Sequence, residues 1–441
     1  MKPGMDFKLR WLVLLFVFIL QHDLHAQFEI SAEIRPQLEY RQGYGILPPH
    51  GATPAIFMSQ RSRVSFKYFF HRIKYNFAIQ DIRIWGDENL YSSTGIFGDN
   101  ASLDLKEAWI QFSFKTYSSI KVGRQILKYE DERLLSTRDW NQNGISYDAI
   151  LYQYQDHKWR IDCGFSLNNE KENQIGNLYS TEKLKTLNFL YIKNQFFPNF
   201  YISLLSIGSG FTTNDTSEVI YMRGTYGIHT SYKYNKFILA SSVFYQNGKN
   251  RMGKDVSAYF FSIDGGVSFK KFTSAGSIHY LSGQDGTKND ANYQAQDHLF
   301  DILYGARHRY FGLVDNFNNI PKSTNNGGLV DFFCRFDFEY FGENFFRIDY
   351  HWFYLQKRVF DSRYSEERNI YLPKRLGNEL DFVVNQNLYS GIDLKFGYSI
   401  MFPTSTREIL SGIEPGKSEI SHWAWIMVTF FNTIFSSNEK Q

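Results

Sequence analysis

The residues with the clearest chemical potential are arginines at alternating positions. Arg61 and Arg63 lie two apart, and Ser65 and Lys67 continue the row. Strand side chains alternate faces with period two, so this row shares one face. A guanidinium donates two parallel hydrogen bonds to a carboxylate, and arginines ringing a narrow passage would favour anions. Arg347, Arg223 and Lys233 fall on polar faces by the same parity, while Arg307 and Arg309 sit in a long connection. Arg133 follows a strand into an outer connection. Arg124 shares the parity of Ile120 and Val122, and only a bulge at Gly123 would re-aim it.

Acids share these polar faces: Glu33, Glu39, Asp337, Glu339, Asp349, Glu379 and Asp381. Each arginine therefore has a second reading, as a wall partner that stiffens a sheet and pins loops. His229, His279 and His351 occupy strand positions and read as wall-lining polar groups. The Asp285-Gly286 and Asn289-Asp290 stretches lack the regular spacing of a calcium loop and read as solvated turns. No metal site and no cofactor is implied. Ser277 and His279 share a face, but no third group orients them and no Gly-x-Ser-x-Gly elbow occurs. An enzyme is not expected.

The elements that must position these residues are strands. Phe346, Ile348, Tyr350, Trp352 and Tyr354 share one parity, and Arg347, Asp349 and His351 share the other. Such segments recur along the chain, and 18% of its residues are Phe, Trp or Tyr. Aromatic strands of this kind fit a barrel with lipid outside. Trp352, Trp423 and Trp425 are expected in its headgroup girdle. At the N-terminus Lys8 and Arg10 precede the apolar run Trp11 to Leu20, and Leu24-His25-Ala26 supplies a cleavage site. Residues 1–26 therefore read as an export signal, with no cysteine after Ala26 to carry a lipid anchor. The net charge of +3 becomes +2 when three cations and two acids leave with that signal, which gives no reason to expect nucleic acid. Cys163 and Cys334 read as small apolar strand residues.

Connector lengths give the strand count. Long connections fall near Gly43–Met58, Gly86–Ser102, Tyr129–Gly144, Asn168–Glu182, Gly208–Glu218, Gly248–Asp255, Gly283–Gly328, Val359–Arg375 and Pro403–Ser421. Short turns fall at His71-Arg72, Thr116-Tyr117, Asp156-His157, Pro198-Asn199, Asn235-Lys236, Lys270-Lys271, Gly342-Glu343 and Tyr389-Ser390. The alternation predicts an all-β transmembrane antiparallel barrel of about 18 strands filling residues 27–441, with short periplasmic turns and periplasmic termini. The first strand is expected over Ile30 to Tyr40, and the closing strand over His422 to Phe431. Pro36 is a mild strain on the first, because it lacks a ladder donor. Tyr304–Gly312 has strand-like composition but would break the alternation. It belongs to the longest outer connection, folded into the barrel mouth.

Several stretches, in order, carry a family resemblance. They are Arg61-Ser62-Arg63, Gln80-Asp81 with Trp85-Gly86-Asp87, Gly123-Arg124-Gln125, Asp131-Glu132-Arg133-Leu134, Asp139-Trp140 and Tyr147-Asp148-Ala149. Tyr304–Gly312, Gly377-Asn378-Glu379-Leu380-Asp381 and Trp423-Ala424-Trp425 follow. With them the chain resembles the alginate export family of outer-membrane barrels. The resemblance implies an 18-stranded barrel with an electropositive constriction that passes a polyuronate. Arg61, Arg63, Arg124, Arg133, Arg223, Arg307, Arg309 and Arg347 are the candidates to line that path. Family members commonly end near the closing aromatic strand, whereas this chain continues through Asn432 to Gln441. The expected partners are outer-membrane lipid, an anionic polysaccharide or other acidic solute, and periplasmic export or synthesis machinery. Two rival readings remain: an uptake porin for small organic acids, and a plugged structural or adhesin barrel.

Overall fold

The computed structural model describes residues 27–86, 90–91, 97–98, 103–176, 183–213, 219–342, 344–364 and 369–437. The export signal expected over residues 1–26 lies outside them. Eighteen antiparallel strands form one sheet, and the last pairs with the first. They begin with β1 (Gln27–Gln42), β2 (Ala55–Phe70), β3 (Ile73–Ile84), β4 (Leu103–Lys115), β5 (Ser118–Gln125) and β6 (Tyr147–Gln155). Next come β7 (Trp159–Leu167), β8 (Thr186–Phe197), β9 (Phe200–Thr212), β10 (Ile220–Tyr234), β11 (Phe237–Gly248) and β12 (Ala258–Ser268). The set ends with β13 (Phe272–Leu281), β14 (Leu329–Phe341), β15 (Asn344–Leu355), β16 (Arg375–Tyr389), β17 (Ile392–Pro403) and β18 (Ser421–Ser436). Short helices α1 (Ala291–Gln294), α2 (Arg307–Tyr310), α3 (Ile320–Thr324) and α4 (Ser405–Leu410) lie in the outer connections.

Closure follows from hydrogen-bonding demand, because an open edge would leave backbone groups unpaired in lipid. Among the described residues the short turns fall where the connector pattern places them. Both end strands run longer than expected, and β18 continues to Ser436 opposite Glu29. Pro36 pairs across to Gln60 in β2, while the β18 ladder passes from Ile34–Phe430 to Gln37–Met427. The missing proline donor thus falls on the closing seam.

Alternation is plain on most strands. In β1, Ile34 and Leu38 are exposed on the outer wall, while Ser31, Arg35, Gln37 and Glu39 are buried on the lumen side. Cys163 lies exposed on the outer wall, where a small apolar side chain fits. Two aromatic residues depart from the girdle reading. Trp423 is 1% exposed on the lumen side, and its Nε1 donates to Glu39 over 2.8 Å. Trp425 has the same parity and borders an inner cavity. Both turn inward because the lumen holds an apolar body that needs apolar wall partners.

Candidate functional site

The apolar body consists of two outer connections. Residues 126–146, between β5 and β6, and residues 282–328, between β13 and β14, fold into the lumen. Leu127, Leu134 and Leu135 of the first pack with Phe300, Ile302, Tyr310, Val314 and Phe317 of the second. Wall residues Ile207, Phe244, Phe260, Leu281 and Phe353 close around them. Fully burying one such side chain contributes about 1.5–3 kcal/mol, so this cluster alone can hold the segments inside.

The segments also share backbone bonds. Tyr304 N–H donates to the Leu134 carbonyl over 3.0 Å, and Ala306 N–H donates to Glu132 over 2.9 Å. At Gly305 the chains approach so closely that a Cβ would lie 1.8 Å from the Arg133 oxygen, which requires glycine there. Tyr304–Gly312 is therefore part of an inward connection, as the strand count demands, and its centre is α2.

The wall side of this plug is a run of ionisable groups. Arg133 reaches Asp264 at 2.9 Å, Asp264 meets His279 Nε2 at 3.2 Å, and His351 Nδ1 lies 3.0 Å from Asp331. His351 Nε2 is 3.6 Å from Asp381. Val314 N–H donates to Glu379 over 2.7 Å, and Leu313 N–H to Asp381 over 3.3 Å. His279 and His351 thus line the wall, each between carboxylates. His229 also lines the wall, but between hydroxyls, with Nδ1 2.8 Å from Ser242 Oγ and Nε2 3.3 Å from the Tyr201 hydroxyl.

The structure separates the eight candidate arginines into groups. Arg61 is fully buried, 2.5 Å from Glu33 and 2.9 Å from Asp139, and it also donates to the Gln142 carbonyl. Arg63 stands beside it, bonded to Gln80 and 3.7 Å from Asp139. Both grip the 126–146 segment through one carboxylate. Burial would raise the Asp139 pKa, but Arg61 and Arg35 outweigh it and hold the group below its ordinary range. Arg133 is buried against Asp131 at 2.7 Å, with its guanidinium 4.2 Å from the Tyr310 ring centre.

Arg223 pairs with Asp301 and lies 3.7 Å from Asp297. Arg307 donates to the Asn318 and Leu303 carbonyls. Arg347 makes a two-point contact with Asp337, at 2.5 and 3.1 Å. Arg309 is about half exposed, 3.5 Å from Glu132. Arg124 is a correction. No register shift re-aims it at Gly123, so it stays on the outer wall and pairs with Asp148 at 3.2 Å. It does not line the lumen.

Cavities flank α2. The inner one, about 500 Å³, is bordered by Arg35, Arg138, Arg309, Arg335, Arg347 and Lys395. Glu132, Asp139 and Asp349 are its carboxylates, and Trp140, Trp425 and Phe345 add rings. The outer one, about 390 Å³, has Arg223, Arg251 and Arg307 with Asp297 and Asp301. Arg35, Arg138, Arg335 and Lys395 are thus site residues that the candidate set missed. Arg35 carried a signal, since it shares the strand parity of Glu33 and Glu39. Arg138 could not be placed from sequence, because loop paths leave no periodicity.

Residues 27–171 match the model of the alginate export family. The match spans β1 to β7 and the first inward segment, including Arg61, Arg63, Arg133 and Asp139. None of the curated proteins matches the chain. Among solved structures, the outer membrane protein OprD from Pseudomonas aeruginosa is similar with TM-score 0.60 and 10% identity, over 92% of this chain and 94% of that one. Acinetobacter baumannii OccAB1 gives 0.61 and 12%, over 92% and 97%. Pseudomonas aeruginosa OccK5 (OpdH) gives 0.58 and 11%, over 92% and 98%. At these identities the likeness is one of fold. The chain is a porin-like β-barrel of the Gram-negative outer membrane.

Proposed function

We propose that this alginate export-like barrel is a channel for an anionic polysaccharide, an alginate-like polyuronate, or another acidic solute. The observation that carries the reading is the inner cavity, where six arginine and lysine side chains face three carboxylates. A cationic excess in a narrow, low-dielectric passage favours anions, and rings along the passage suit sugar faces. Arg309 supplies the most accessible guanidinium of the candidate set. Arg61, Arg63 and Arg133 act mainly by fixing the inward segments that shape the cavity.

A second reading, an uptake channel for small organic acids, draws support from the cavity's size. About 500 Å³ is the volume of a small-molecule site rather than of an extended polymer. Reversal potentials in a salt gradient test the shared claim. Anion selectivity that falls in the Arg309→Ala, Arg335→Ala double variant is expected, and cation selectivity of the unaltered barrel would overturn it. Block by oligogalacturonate rather than by galacturonate separates polymer from monomer.

A further inference from the structure

The inner rim carries a charge pattern that the plug does not explain. Lys74 in β3 and Lys233 in β10 sit at the periplasmic ends of their strands on lumen parity, and Lys115 ends β4 just past a bulge. Lys74 shares the face of buried Asn76 and Gln80, and Lys233 that of buried Arg223 and His229. Lys115 borders a recess of about 360 Å³ with the lumen-side Gln111, Ser119 and Gln153. Lys158, Lys236 and Lys271 stand in the turns leading into β7, β11 and β13. These six lysines trace an arc from β3 to β13, more than half of the circumference.

All six are exposed, and none forms an ion pair among the described residues. The contrast with neighbouring cations is direct: Lys67 pairs with Glu29 at 2.8 Å, and Arg160 with Asp162 at 2.6 Å. The carboxylate available along this arc, Asp156, is engaged by its own turn. It accepts from the N–H groups of Lys158 and Trp159 and from the Tyr154 hydroxyl. Acids of the inner mouth collect on the remaining wall, as Asp337, Glu339 and Asp393. Asp337 is held by Arg347. Lys74 lies over the Phe69 ring at 5.7 Å and Lys236 over Phe269 at 5.1 Å, but no carboxylate among the described residues offsets any of the six, and like charges without counter-ions repel one another. Their arrangement creates a one-sided positive field at the periplasmic opening, of the kind that raises capture rates.

Resting on the channel reading above, we infer that this lysine arc is the loading site for a linear polycarboxylate that enters from the periplasm. Long flexible ammonium groups, spread along an arc, suit many weak contacts with successive carboxylates. They do not form one tight pocket for a small acid. The lumen parity of Lys74 and Lys233, with Lys115 on the recess beside Gln111 and Ser119, favours a chain entering the mouth over phospholipid headgroups around it. The direction of transport is then outward, from lysines to the cationic inner cavity and past α2.

The test replaces all six lysines with glutamine in the full mature barrel. One readout is equilibrium binding of fluorescent oligogalacturonate to the solubilised protein. Another is the rate of current block when the same oligomer is added to either face in planar bilayers. The expected result is a tenfold or greater loss of binding and of periplasmic-side block rate, with salt abolishing the difference. Outer-side block rate should stay within about twofold. Unchanged oligomer binding in the variant overturns the inference. So does equal binding of monomeric galacturonate at matched carboxylate concentration, or a loss confined to insertion into anionic rather than neutral lipid. Binding that depends on the arc without any block of current would keep the loading site and remove the channel reading instead.

Discussion

Val314 donates its backbone N–H to Glu379 across 2.7 Å, fastening the inward connection to the barrel wall where neither residue meets solvent. Beside it, Leu313 N–H reaches Asp381, and Gly312 has φ +80° with the Glu379 carboxylate where its Cβ would stand. Leu303 and Asp315, at either end of this stretch, both have positive φ. A non-glycine residue held there stores about 1–3 kcal/mol. The stretch is thus strained at its ends and tied down between them. Glu379→Ala leaves a buried N–H without an acceptor, a loss of about 1–3 kcal/mol. The barrel should retain its heat-modifiable gel shift, while current noise and protease cutting within 303–315 rise severalfold. Quiet currents and an unchanged cleavage pattern would mean that the apolar contacts alone hold the segment.

Removing the plug should leave the wall standing. Gln284 N–H donates to the Asn326 carbonyl over 2.7 Å, so the ends of the long connection are already adjacent. Replacing residues 285–325 by an Asn-Gly turn requires no strand to move, and loop length costs little free energy. Conductance should rise severalfold. Thermal stability should fall, because Phe260, Leu281 and Phe353 lose their packing partners. A barrel that folds but conducts no better would show that this connection does not obstruct the path.

Arg61 should behave as a fastener. Its guanidinium has no exposure, and its partners come from β1 and from the 126–146 segment. Removing one member of a buried ion pair costs about 3–5 kcal/mol, less where the other can reach water, as Asp139 can. Arg61→Ala should therefore loosen residues 126–146 to proteolysis and change selectivity only through that loosening. If Arg61→Ala with Arg63→Ala weakens anion selectivity while the segment stays protected, these arginines act on the passing ion directly.

Much of this architecture is legible in the sequence, for a physical reason. A closed sheet needs alternate faces and paired connectors, and both leave marks at fixed spacing. Arg347 and His351 could be turned inward by counting. Trp423 could not, because β18 is apolar on both parities, with Ile426 and Phe430 toward lipid and Trp423 and Met427 toward the plug. The plug itself is written in contacts between residues far apart in sequence, such as Leu135 with Tyr304, which no local period encodes. The same holds for Arg138, whose Nε donates to the Gly305 carbonyl over 3.0 Å. Loop assignment put Arg307 and Arg309 on a connection folded into the barrel mouth, yet gave no sign that α2 would turn them toward different cavities.

The docking of the first inward segment should depend on pH through Glu130. Burial pushes this carboxyl up from an ordinary 4.5 to about 7, and the neighbouring Asp131 charge acts in the same direction. When the segment is free, Glu130 ionises near 4.5; when docked, it keeps its proton until about 7. Below the lower value both forms are protonated and pH has no effect on docking. Between the two values the free form gains charge and the docked form does not, so docking weakens as pH rises. Above about 7 the full penalty is present, roughly 3 kcal/mol for a shift of this size. Hydrogen-exchange protection of residues 126–146, corrected for intrinsic rates, should thus be greater at pH 5 than at pH 8. Glu130→Gln should hold the protected level at both. Equal protection at the two pH values in the unaltered protein would place Glu130 in contact with water and end this account of it.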